Sequence, residues 1–380
     1  MIYFDNSATT KPLEEVVQTY LKVSTNYFGN PSSLHTLGMD SQILIEKARK
    51  QIAELLKIKP KEIIFTSGGT EGNNLAIKGT AQARRNRGKH LITTMVEHAS
   101  SYEVFQSLEK EGFEVTYLNV NKEGHISVDE LIEAIRQDTI LISVIHVNNE
   151  TGAIQPIEEI SRRLVDYPHV RFHVDHVQGV HKVPLHFNDV RIDFCTMSAH
   201  KFHGLKGNGL LYVREGNRLS SLLHGGEQEF KLRAGTENVA GIVAMAKAFR
   251  LGSEHSRQGN QHLETLKTTF IAGIKKIDKV VIHTPVKGSA PHIVNFSIGH
   301  MKPEVLIQSL SKVGVYVSTK SACSSKLNEP SRILLAQGID DKKASSAIRV
   351  SFSYLNTEDE VKRVLNDLET MIPELLQVQG

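Results

Sequence analysis

A lysine and an aspartate, Lys201 and Asp175, stand where two predicted strands of the chain end. Asp175 directly follows segment 170–174, and Lys201 comes shortly after the apolar segment 192–197. A lysine near a strand end can form a Schiff base with a carbonyl cofactor, and an aspartate can keep a pyridinium nitrogen protonated. The pair therefore predicts a pyridoxal phosphate site, although either residue alone would more often be an ordinary surface charge.

The segments that must position this pair alternate between strand-like and helix-like patterns. In the first half of the chain, short apolar runs such as 62–66 are followed by segments of helical spacing such as 75–84. This alternation predicts an α/β fold with a mostly parallel sheet covered on both faces. In such sheets ligands bind at the carboxyl ends of the strands, which is where Asp175 and Lys201 would lie. Segment 208–214 follows the lysine without a helical crossover, so it is predicted to be an antiparallel strand.

A glycine-rich turn, SGGTEGNN at residues 67–74, separates the predicted strand 62–66 from the helix 75–84. Backbone N–H groups at a helix N-terminus stabilise phosphate, so this turn is the predicted phosphate cradle. It has neither the Lys-Ser/Thr of a Walker A loop nor the spacing of a dinucleotide fingerprint. Further polar residues that follow predicted strands, and are expected at the same sheet edge, are Glu97, His98, Asn148, Asn149, Glu150 and Gln178.

Length and composition are those of an ordinary globular protein. The chain has 380 residues, of which 40% are hydrophobic and 23% charged, and its formal net charge is +3. The charges are dispersed, so no basic stripe indicates direct nucleic-acid binding. The N-terminal sequence lacks a secretory pattern, and no apolar run approaches the roughly 20 residues that span a bilayer. A cytoplasmic protein without a membrane segment is therefore expected.

The chain has two cysteines, Cys195 and Cys323, in opposite surroundings. Cys195 lies within an apolar run and is predicted to be a buried structural residue. Cys323 has small polar neighbours, and Lys320 and Lys326 can favour its thiolate. On these surroundings alone, a nucleophile and an incidental exposed thiol are equally good interpretations. Two cysteines give no disulfide framework, which fits a reducing compartment.

The last third of the chain changes character to a mixed α+β pattern. A long helix that begins near Val239 is predicted to lead into it, followed by a separate helix at 263–277. The predicted large domain covers residues 16–256 and holds the cofactor. The predicted small domain combines residues 1–15 with residues 257–380 and carries the second cysteine.

An ordered set of motifs resembles the cysteine desulfurases of the NifS/IscS type, which belong to the fold type I superfamily of pyridoxal phosphate enzymes. The matching stretches span essentially the whole chain and are YFDNSATT, GNPSSLH, FTSGGTEGNNLAI, VEH, VNNETGAIQPI, HVDHVQ, SAHKFHGLKGNGLLYVR, LRAGTENV, SACSS and AIRVSFS. The resemblance implies a large domain with a mostly parallel seven-stranded sheet and a smaller α+β domain. It also implies a homodimer that acts on L-cysteine with pyridoxal 5'-phosphate. The sulfur would pass to an acceptor protein of iron–sulfur cluster assembly or tRNA thiolation.

The resemblance also assigns roles around the cofactor. Lys201 looks like the Schiff-base lysine, Asp175 like the partner of the pyridine nitrogen, and Gln178 like a hydrogen-bond donor to the ring oxygen. His98 is similar to the histidine that stacks on the ring and moves protons. The phosphate-binding positions of the family are matched by Gly69, Thr70, Ser198 and His200.

Four further residues match family positions. Thr236 is similar to a residue that reaches the phosphate of the cofactor in the other subunit. Asn149 matches a position that binds the cofactor and lies near the substrate. Arg349 also matches a position near the substrate, and an arginine suits a bidentate grip on an α-carboxylate. Cys323 looks like the sulfur-accepting nucleophile. In the implied reaction L-cysteine displaces Lys201 from the cofactor, the Cys323 thiolate attacks the substrate sulfur, alanine leaves, and Cys323 carries a persulfide. No metal site is predicted, apart from Cys323 as a transient iron–sulfur ligand.

Two alternatives stay open on the residues themselves. The first is a pyridoxal phosphate aminotransferase or lyase in which Cys323 is incidental. The second is a sulfur carrier or metal chaperone that binds iron or zinc through Cys323 and some of the 18 histidines. The histidines show no metal-ligand spacing, which weakens the second. Departures from the family pattern, which concern loops and partner choice more than chemistry, are Gly69, His176, Leu205, Glu227 and Lys320.

Overall fold

The computed structural model describes residues 1–299, 301–319 and 330–379, so Cys323 and Lys320 lie outside the described residues. In chain order, the first elements are β1 (Ile2–Tyr3), α1 (Glu14–Asn26), α2 (Thr36–Leu56), β2 (Ile63–Thr66), α3 (Gly69–Arg84), β3 (His90–Thr94), α4 (Ala99–Lys110), β4 (Glu114–Leu118), α5 (Val128–Glu133), β5 (Thr139–Ile145), α6 (Ile157–Arg163) and β6 (Arg171–Asp175). The remaining elements are β7 (Phe194–Ser198), β8 (Gly209–Val213), α7 (Val239–Ile274), β9 (Val280–Ile282), β10 (Ile293–Ile298), α8 (Pro303–Lys312), β11 (Val315–Tyr316), α9 (Arg332–Ala336), α10 (Asp341–Ser345), β12 (Ala347–Ser351) and α11 (Glu358–Gln379).

A seven-stranded sheet forms the centre of the molecule, in the order β2-β8-β7-β6-β5-β3-β4. Its strands pair in parallel except β8, which is antiparallel to both β2 and β7. The predicted fold class and the predicted antiparallel strand are therefore confirmed. Strands β6 and β7 are neighbours, with Asp175 opposite Thr196. The carboxyl ends that carry Asp175 and Lys201 consequently lie side by side.

Burial on both faces explains why the central strands read as continuous apolar runs. Every residue of β5 is buried, because helices cover both faces of the sheet. Helix α3 packs closely on β7 at Gly72, where a Cβ atom would lie 2.7 Å from Cγ2 of Thr196. Glycine at this position lets the N-terminus of α3 come close to the end of β7.

A second layer combines the two ends of the chain. It contains a three-stranded antiparallel sheet, β12-β10-β9, and a parallel pair of β1 with β11. Phe4 packs edge-on against Phe352 at 5.0 Å, and Phe270 packs against both Phe296 and Phe352. The N-terminal strand therefore shares a core with residues from the last third of the chain. The division into two domains at residues 256 and 257 stays a prediction.

Two helix predictions were wrong in their bounds. The separate helix predicted at 263–277 belongs to α7, which is continuous over 36 residues. Its early residues, such as Ala244, are buried in the large core, and its late residues, such as Phe270, are buried in the second layer. The helix predicted at 75–84 begins earlier, at Gly69, because the glycine-rich turn itself forms the first helical turn. None of the helices in residues 1–299, 301–319 and 330–379 has the length and apolar character that a bilayer span requires.

A buried ion pair anchors the loop at residues 224–238. The two carboxylate oxygens of Glu229 accept hydrogen bonds from Arg49 at 2.8 and 2.9 Å, and one of them also accepts from the backbone N–H of Phe65 at 2.8 Å. Residues 229–231 all have left-handed backbone angles, with φ of 46°, 56° and 67°. Such angles are unfavourable for residues other than glycine. The ion pair therefore holds a strained turn in place.

Arg49→Met is expected to lower the free energy of unfolding by about 3–5 kcal/mol, because it leaves a buried carboxylate without its cation. The double variant Arg49→Met/Glu229→Gln should recover part of this loss, since the buried charge is then removed. Lys50→Met is the matched control, because Lys50 pairs with Glu54 on the exposed face of the same helix. Urea unfolding compares the three variants, and an equal loss in Arg49→Met and Lys50→Met would contradict the anchoring role.

Candidate active site

A cavity of about 290 Å³ lies at the carboxyl ends of β6 and β7. Its lining residues come from both layers of the molecule and are Ser7, Ala8, Gly69, Thr70, His98, Ser100, Ile145, Asn149, Asp175, Val177, Gln178, Ser198, His200, Lys201 and Arg349. All but two of the predicted site residues are in this set. Thr236 is exposed on the loop at residues 224–238 and does not line the cavity, and Cys323 lies outside the described residues. The individual roles of these residues stay predictions.

Lys201 lies in a single 3-10 turn, Ala199–Lys201, directly after β7. Its Nζ donates hydrogen bonds to the backbone oxygens of Ser7 at 2.6 Å and Ala8 at 2.8 Å. These two residues belong to the motif YFDNSATT, which carried the resemblance but was given no role of its own. The N-terminal segment therefore crosses the sheet edge and orients the lysine.

Asp175 is the last residue of β6 and is 3% exposed. Its Oδ1 accepts from the backbone N–H of Val177 at 3.0 Å, and its Oδ2 accepts from Nδ2 of Asn73 at 2.7 Å. Burial raises the pKa of this carboxyl group, while the two hydrogen bonds and the charge of Lys201 oppose that shift. Asn73 lies on α3, near the end of the glycine-rich turn 67–74, and had no predicted role. The helix that begins at the predicted phosphate cradle thus also fixes the acid.

His98 caps the N-terminus of α4, where its Nδ1 accepts from the backbone N–H of Ser100 at 3.1 Å. The ring proton of the neutral side chain is therefore on Nε2. Burial, together with the positive charges of Lys201, Arg332 and Arg349, lowers the pKa of His98 to about 4. His98 is consequently neutral near pH 7 and can accept a proton.

Glu97 is a fully buried acid directly before His98. Its Oε1 accepts from Oγ1 of Thr94 at 2.8 Å and from the backbone N–H of Ile145 at 2.9 Å. Its Oε2 has no hydrogen-bond partner in the described part of the chain. Burial raises the pKa of Glu97 to about 8, so the group is neutral near pH 7. The neutral acid fastens the segment before α4 to the end of β5.

The raised pKa of Glu97 makes the stability of the protein depend on pH. Between the unfolded pKa of 4.5 and the folded pKa of about 8, the unfolded chain is ionised while the folded chain keeps the proton. The contribution of Glu97 to the free energy of unfolding is fully present below the unfolded pKa. It is lost as the pH rises towards the folded pKa, at up to about 1.4 kcal/mol per pH unit. Glu97→Gln cannot titrate. The free energy of unfolding of the wild type, measured relative to this variant, should therefore fall from about pH 5 to about pH 8.

Glu103→Gln serves as the control for this measurement, because Glu103 is an exposed acid on the same helix α4. The difference in free energy of unfolding between this variant and the wild type should stay nearly constant over the same pH range. An exposed carboxyl group has similar surroundings in the folded and unfolded states. Parallel pH profiles for the wild type and Glu97→Gln would show that Glu97 ionises normally in the folded protein.

Arg349 is on β12 and is 1% exposed. Its guanidinium donates to the backbone oxygen of Asn149 at 2.8 Å, to Oδ1 of Asp5 at 3.0 Å and to Oγ of Ser318 at 2.8 Å. Its Nε has no partner among the described residues. Asp5 and Ser318 were not singled out in the sequence, although both lie in or beside matching motifs. The guanidinium is thus held from three sides and retains an N–H for a substrate carboxylate.

The described residues that precede and follow 320–329 are held beside the cavity by hydrogen bonds. On one side, Ser318 bonds to Arg349 through its side chain and through its backbone. On the other side, Oγ of Ser331 donates to Oε2 of Glu150 at 2.5 Å, and Arg332 donates to the backbone oxygen of Glu97 at 2.6 Å. Ser318 and Ser331 therefore both lie next to the cavity wall.

The phosphate side of the cavity fits pyridoxal phosphate. Helix α3 begins there at Gly69, and Gly68 has a φ of 151°, which only glycine adopts readily. A Cβ atom at Gly69 would lie 3.0 Å from Cγ2 of Val177, so the backbone is closely packed at this point. The helix N-terminus offers N–H groups to an anion. The other predicted phosphate ligands that line the same cavity are Thr70, Ser198 and His200.

Two buried amides supply polar atoms on the ring side. Gln178 is 4% exposed, and its Nε2 donates to the backbone oxygen of Ser7 at 2.8 Å. Oε1 of Gln178 and Oδ1 of Asn149 have no partner among the described residues. Buried polar atoms are nearly always paired in folded proteins, so these orphan atoms indicate a bound polar molecule. Both orphan atoms are acceptors, so they suit a hydrogen-bond donor of that molecule, and the predicted donation from Gln178 to the ring oxygen would use the second hydrogen of Nε2.

The comparisons with known proteins agree with this geometry. A family model described as aminotransferase class-V matches residues 2–364. A NifS/IcsS protein homolog from Lactobacillus delbrueckii subsp. bulgaricus is 46% identical over 362 residues, which is 95% of this chain and 94% of that protein. A cysteine desulfurase IscS from Dictyoglomus turgidum is 43% identical over 375 residues, covering 98% and 95% of the two chains. A solved structure titled NifS-like protein has a TM-score of 0.93 and 36% identity, covering 98% of this chain and 100% of its own. The chain therefore belongs to the aminotransferase class-V family, in its NifS/IscS group of pyridoxal phosphate-dependent cysteine desulfurases.

Proposed function

We propose that this protein converts L-cysteine to L-alanine with pyridoxal phosphate and transfers the sulfur to Cys323. The observation that carries the proposal is the meeting of Lys201, Asp175, His98 and Arg349 around one cavity. These side chains supply an amine for covalent attachment, an acid for a ring nitrogen, a neutral base and a cationic grip for a carboxylate. The set suits an amino-acid substrate on a pyridoxal cofactor.

Each residue has a distinct part in the proposed reaction. Bound pyridoxal phosphate supplies an electron sink for bonds broken at the substrate carbon atoms. Lys201 would hold the cofactor and would move protons at the substrate. Asp175 would keep the ring nitrogen protonated, and His98 would move protons in its neutral form. Arg349 would bind the substrate carboxylate through the N–H that the described residues leave unpaired.

The sulfur step is a displacement at the sulfur atom of the substrate. The Cys323 thiolate attacks this atom, so an S–S bond forms while the C–S bond of the substrate breaks. The electron pair of the broken bond goes to the carbon fragment, which takes up a proton and leaves as alanine. A thiol of an acceptor protein then takes the sulfur from the persulfide by thiol exchange.

The surroundings of Cys195 support the choice of Cys323 as nucleophile. Cys195 is fully buried within β7 and does not line the cavity. Burial raises the pKa of its thiol well above the ordinary value, and the nearby charge of Asp175 raises it further. A thiolate is therefore strongly disfavoured at this position. Cys323 is the other cysteine of the sequence, and its flanking residues Ser318 and Ser331 lie beside the cavity.

The proposal includes a homodimer with shared active sites. Large apolar side chains are exposed along residues 28–43, including Phe28 at 71% and Leu34 at 96% exposure. An exposed apolar surface of this kind favours a protein interface. Thr236 is exposed and does not line the cavity of its own chain. This position supports a contribution of Thr236 to the active site of a second copy.

Mixing inactive variants tests the shared sites. Thr236→Ala and Lys201→Ala should each be impaired alone, but a hybrid dimer has one site with both changes and one intact site. Random exchange of equal amounts should therefore restore about a quarter of the wild-type sites. In the control mixture of Lys201→Ala with Asp175→Asn, both residues line the same cavity, so no intact site forms. If neither mixture recovers activity, Thr236 does not act across an interface.

The product formed from L-cysteine tests the proposed reaction against its rivals. The purified protein with pyridoxal phosphate and a thiol reductant should release alanine and sulfide in equal amounts without an added 2-oxo acid. An aminotransferase would need that acid as amino acceptor, and a metal chaperone would bind iron or zinc and form no alanine. Alanine formation that depends on a 2-oxo acid, or no alanine at all, would overturn the proposal.

We expect the acceptor to be an iron–sulfur scaffold or a tRNA-thiolating enzyme, in the cytoplasm. Both classes follow from the family resemblance, and both receive sulfur through a nucleophilic group of the acceptor. Labelled sulfur is loaded onto the protein from L-cysteine, and a purified acceptor of each class is added separately. The label should pass to the acceptor of one class and should stay on the protein when the acceptor of the other class is added. Release only as free sulfide in both cases would count against either role.

A further inference from the structure

A second lysine, Lys182, contacts the backbone of the candidate cofactor lysine. Nζ of Lys182 donates a hydrogen bond to the backbone oxygen of Lys201 at 2.9 Å. Lys182 lies in the turn at residues 176–183 that follows β6, and Lys201 lies in the turn that follows β7. Because Asp175 ends β6, this hydrogen bond ties together the two strand ends that carry the acid and the amine.

The backbone before Lys182 is held in an unfavourable conformation by packing. His181 has a φ of 61°, in the left-handed region that residues other than glycine rarely adopt. Its ring packs edge-on against Phe202 at 5.7 Å and against Phe249 at 4.5 Å. A Cβ atom at Gly252 of α7 would lie 2.4 Å from Cδ2 of His181, so glycine is required there. The strained residue is thus locked between α7 and the turn after Lys201, and strain of this kind is concentrated at functional sites.

The charge of Lys182 has no counter-ion in the described part of the chain. Burial lowers its pKa to about 8, so it is mostly protonated near pH 7. Among the described residues, no carboxylate contributes to this pKa. The ionisable groups that surround it lie in its own turn, in the turn after β7 and at the start of β10, and they are His176, His181, His200, Lys201, His203 and His292. From α7, the uncharged Ser256 and Asn260 line the same small space.

These histidines do not compensate the charge. Burial lowers the pKa of each of them, and the positive charge of Lys182 lowers it further, so all five are neutral near pH 7. Among the described residues, the ammonium is therefore stabilised by the backbone oxygen of Lys201 and not by an anion. Because that oxygen lies 2.9 Å from Nζ of Lys182, the length of a lysine side chain keeps the ammonium within about 12 Å of the Lys201 amine, where its charge acts on that amine.

We propose that Lys182 is a positioning residue for Lys201. Lys182 fixes the turn after β7 relative to Asp175, and it places a positive charge near the Lys201 amine. The inference rests on the proposed function, because its effect is exerted on the lysine that holds the cofactor. The hydrogen bond keeps the amine and the acid at a constant separation across two strands. The charge makes the Lys201 nitrogen harder to protonate.

The test compares Lys182→Met with Lys267→Met, a matched control. Lys182 is half-buried, and Lys267 is a buried lysine, 5% exposed, whose Nζ donates to Oγ of Ser289 at 2.7 Å and to the backbone oxygen of Ala290 at 3.0 Å. Both variants lose a buried ammonium that binds backbone oxygens, so both should lower the melting temperature. Only Lys182→Met removes the group beside Lys201.

The readout is the pH midpoint of the absorbance of the cofactor bound to Lys201. Lys182→Met should raise this midpoint by about one pH unit, because a cation about 12 Å away at an effective dielectric constant near 20 changes a pKa by roughly that amount. It should also lower kcat about tenfold while KM for L-cysteine changes less than about twofold, since the substrate grip is untouched. Lys267→Met should leave the midpoint and kcat at wild-type values.

Lys182→Gln separates the hydrogen bond from the charge and serves if the methionine variant does not fold. It keeps a donor for the Lys201 oxygen, so kcat should recover in part while the raised midpoint remains. A wild-type midpoint and kcat in both Lys182 variants would overturn the inference. Failure of the proposed function is distinguishable, because wild-type protein would then release no alanine from L-cysteine or would show no cofactor absorbance that depends on Lys201.

Discussion

Lys201→Ala is expected to lose the covalently held cofactor and to lower kcat for alanine formation at least about 1,000-fold, or about 4 kcal/mol in the activation barrier. The amine of Lys201 is oriented by the backbone oxygens of Ser7 and Ala8 at the edge of the cavity. Without it, no other residue that lines the cavity carries an amine to hold the cofactor covalently and to move protons at the substrate. Borohydride reduction followed by peptide mapping measures the attachment, and alanine release measures the rate.

Lys206→Ala is the control, because Lys206 is an exposed lysine in the loop that follows the same turn. It should keep the cofactor, the colour and the rate. Borohydride should fix the cofactor to the peptide of Lys201 in the wild type and in this control. Attachment to any other lysine, or normal alanine release by Lys201→Ala, would show that the site is wrongly assigned.

Cys323→Ala is expected to retain the cofactor and to change colour with L-cysteine, yet to lose alanine and sulfide formation to background. The cavity that binds cofactor and substrate is lined by other residues, so binding should survive the change. The attack on sulfur needs the Cys323 thiolate, so this step should be lost in the variant. Absorbance measures binding, and amino-acid analysis measures turnover.

Cys195→Ala is the paired control for this variant. It should keep turnover and lose about 1 kcal/mol of stability, because removing a fully buried sulfur leaves a small cavity inside β7. Alanine release at the normal rate by Cys323→Ala, together with loss of turnover in Cys195→Ala, would reverse the assignment of the nucleophile.

The parts of the site that lie at strand ends could be predicted from the sequence. Asp175 and Lys201 follow recognisable strands, and strands in an α/β fold present their carboxyl ends at one edge of the sheet. The antiparallel direction of β8 followed from the short connection between Lys201 and that strand. These inferences depend only on local pattern and on the rules of parallel sheets, and the sheet order confirms them.

Contacts between distant parts of the chain could not be predicted in this way. Asp5 and Ser7 reach Arg349 and Lys201 from the far end of the sequence, and no periodicity encodes such a contact. The continuity of α7 was missed for a related reason. Residues 253–261 are mostly polar and resemble a break, but they join one buried stretch of the helix to another and need no apolar face of their own.

A single turnover followed by mapping of the sulfur tests the proposed function most directly. Holoprotein is mixed with one equivalent of L-cysteine without reductant or acceptor, alkylated, digested and analysed by mass spectrometry, while free alanine is measured in the same sample. One alanine per active site and one additional sulfur atom on the peptide of Cys323 are predicted, with the peptide of Cys195 unchanged. Alanine without sulfur on Cys323, or the additional sulfur on Cys195, would contradict transfer to Cys323.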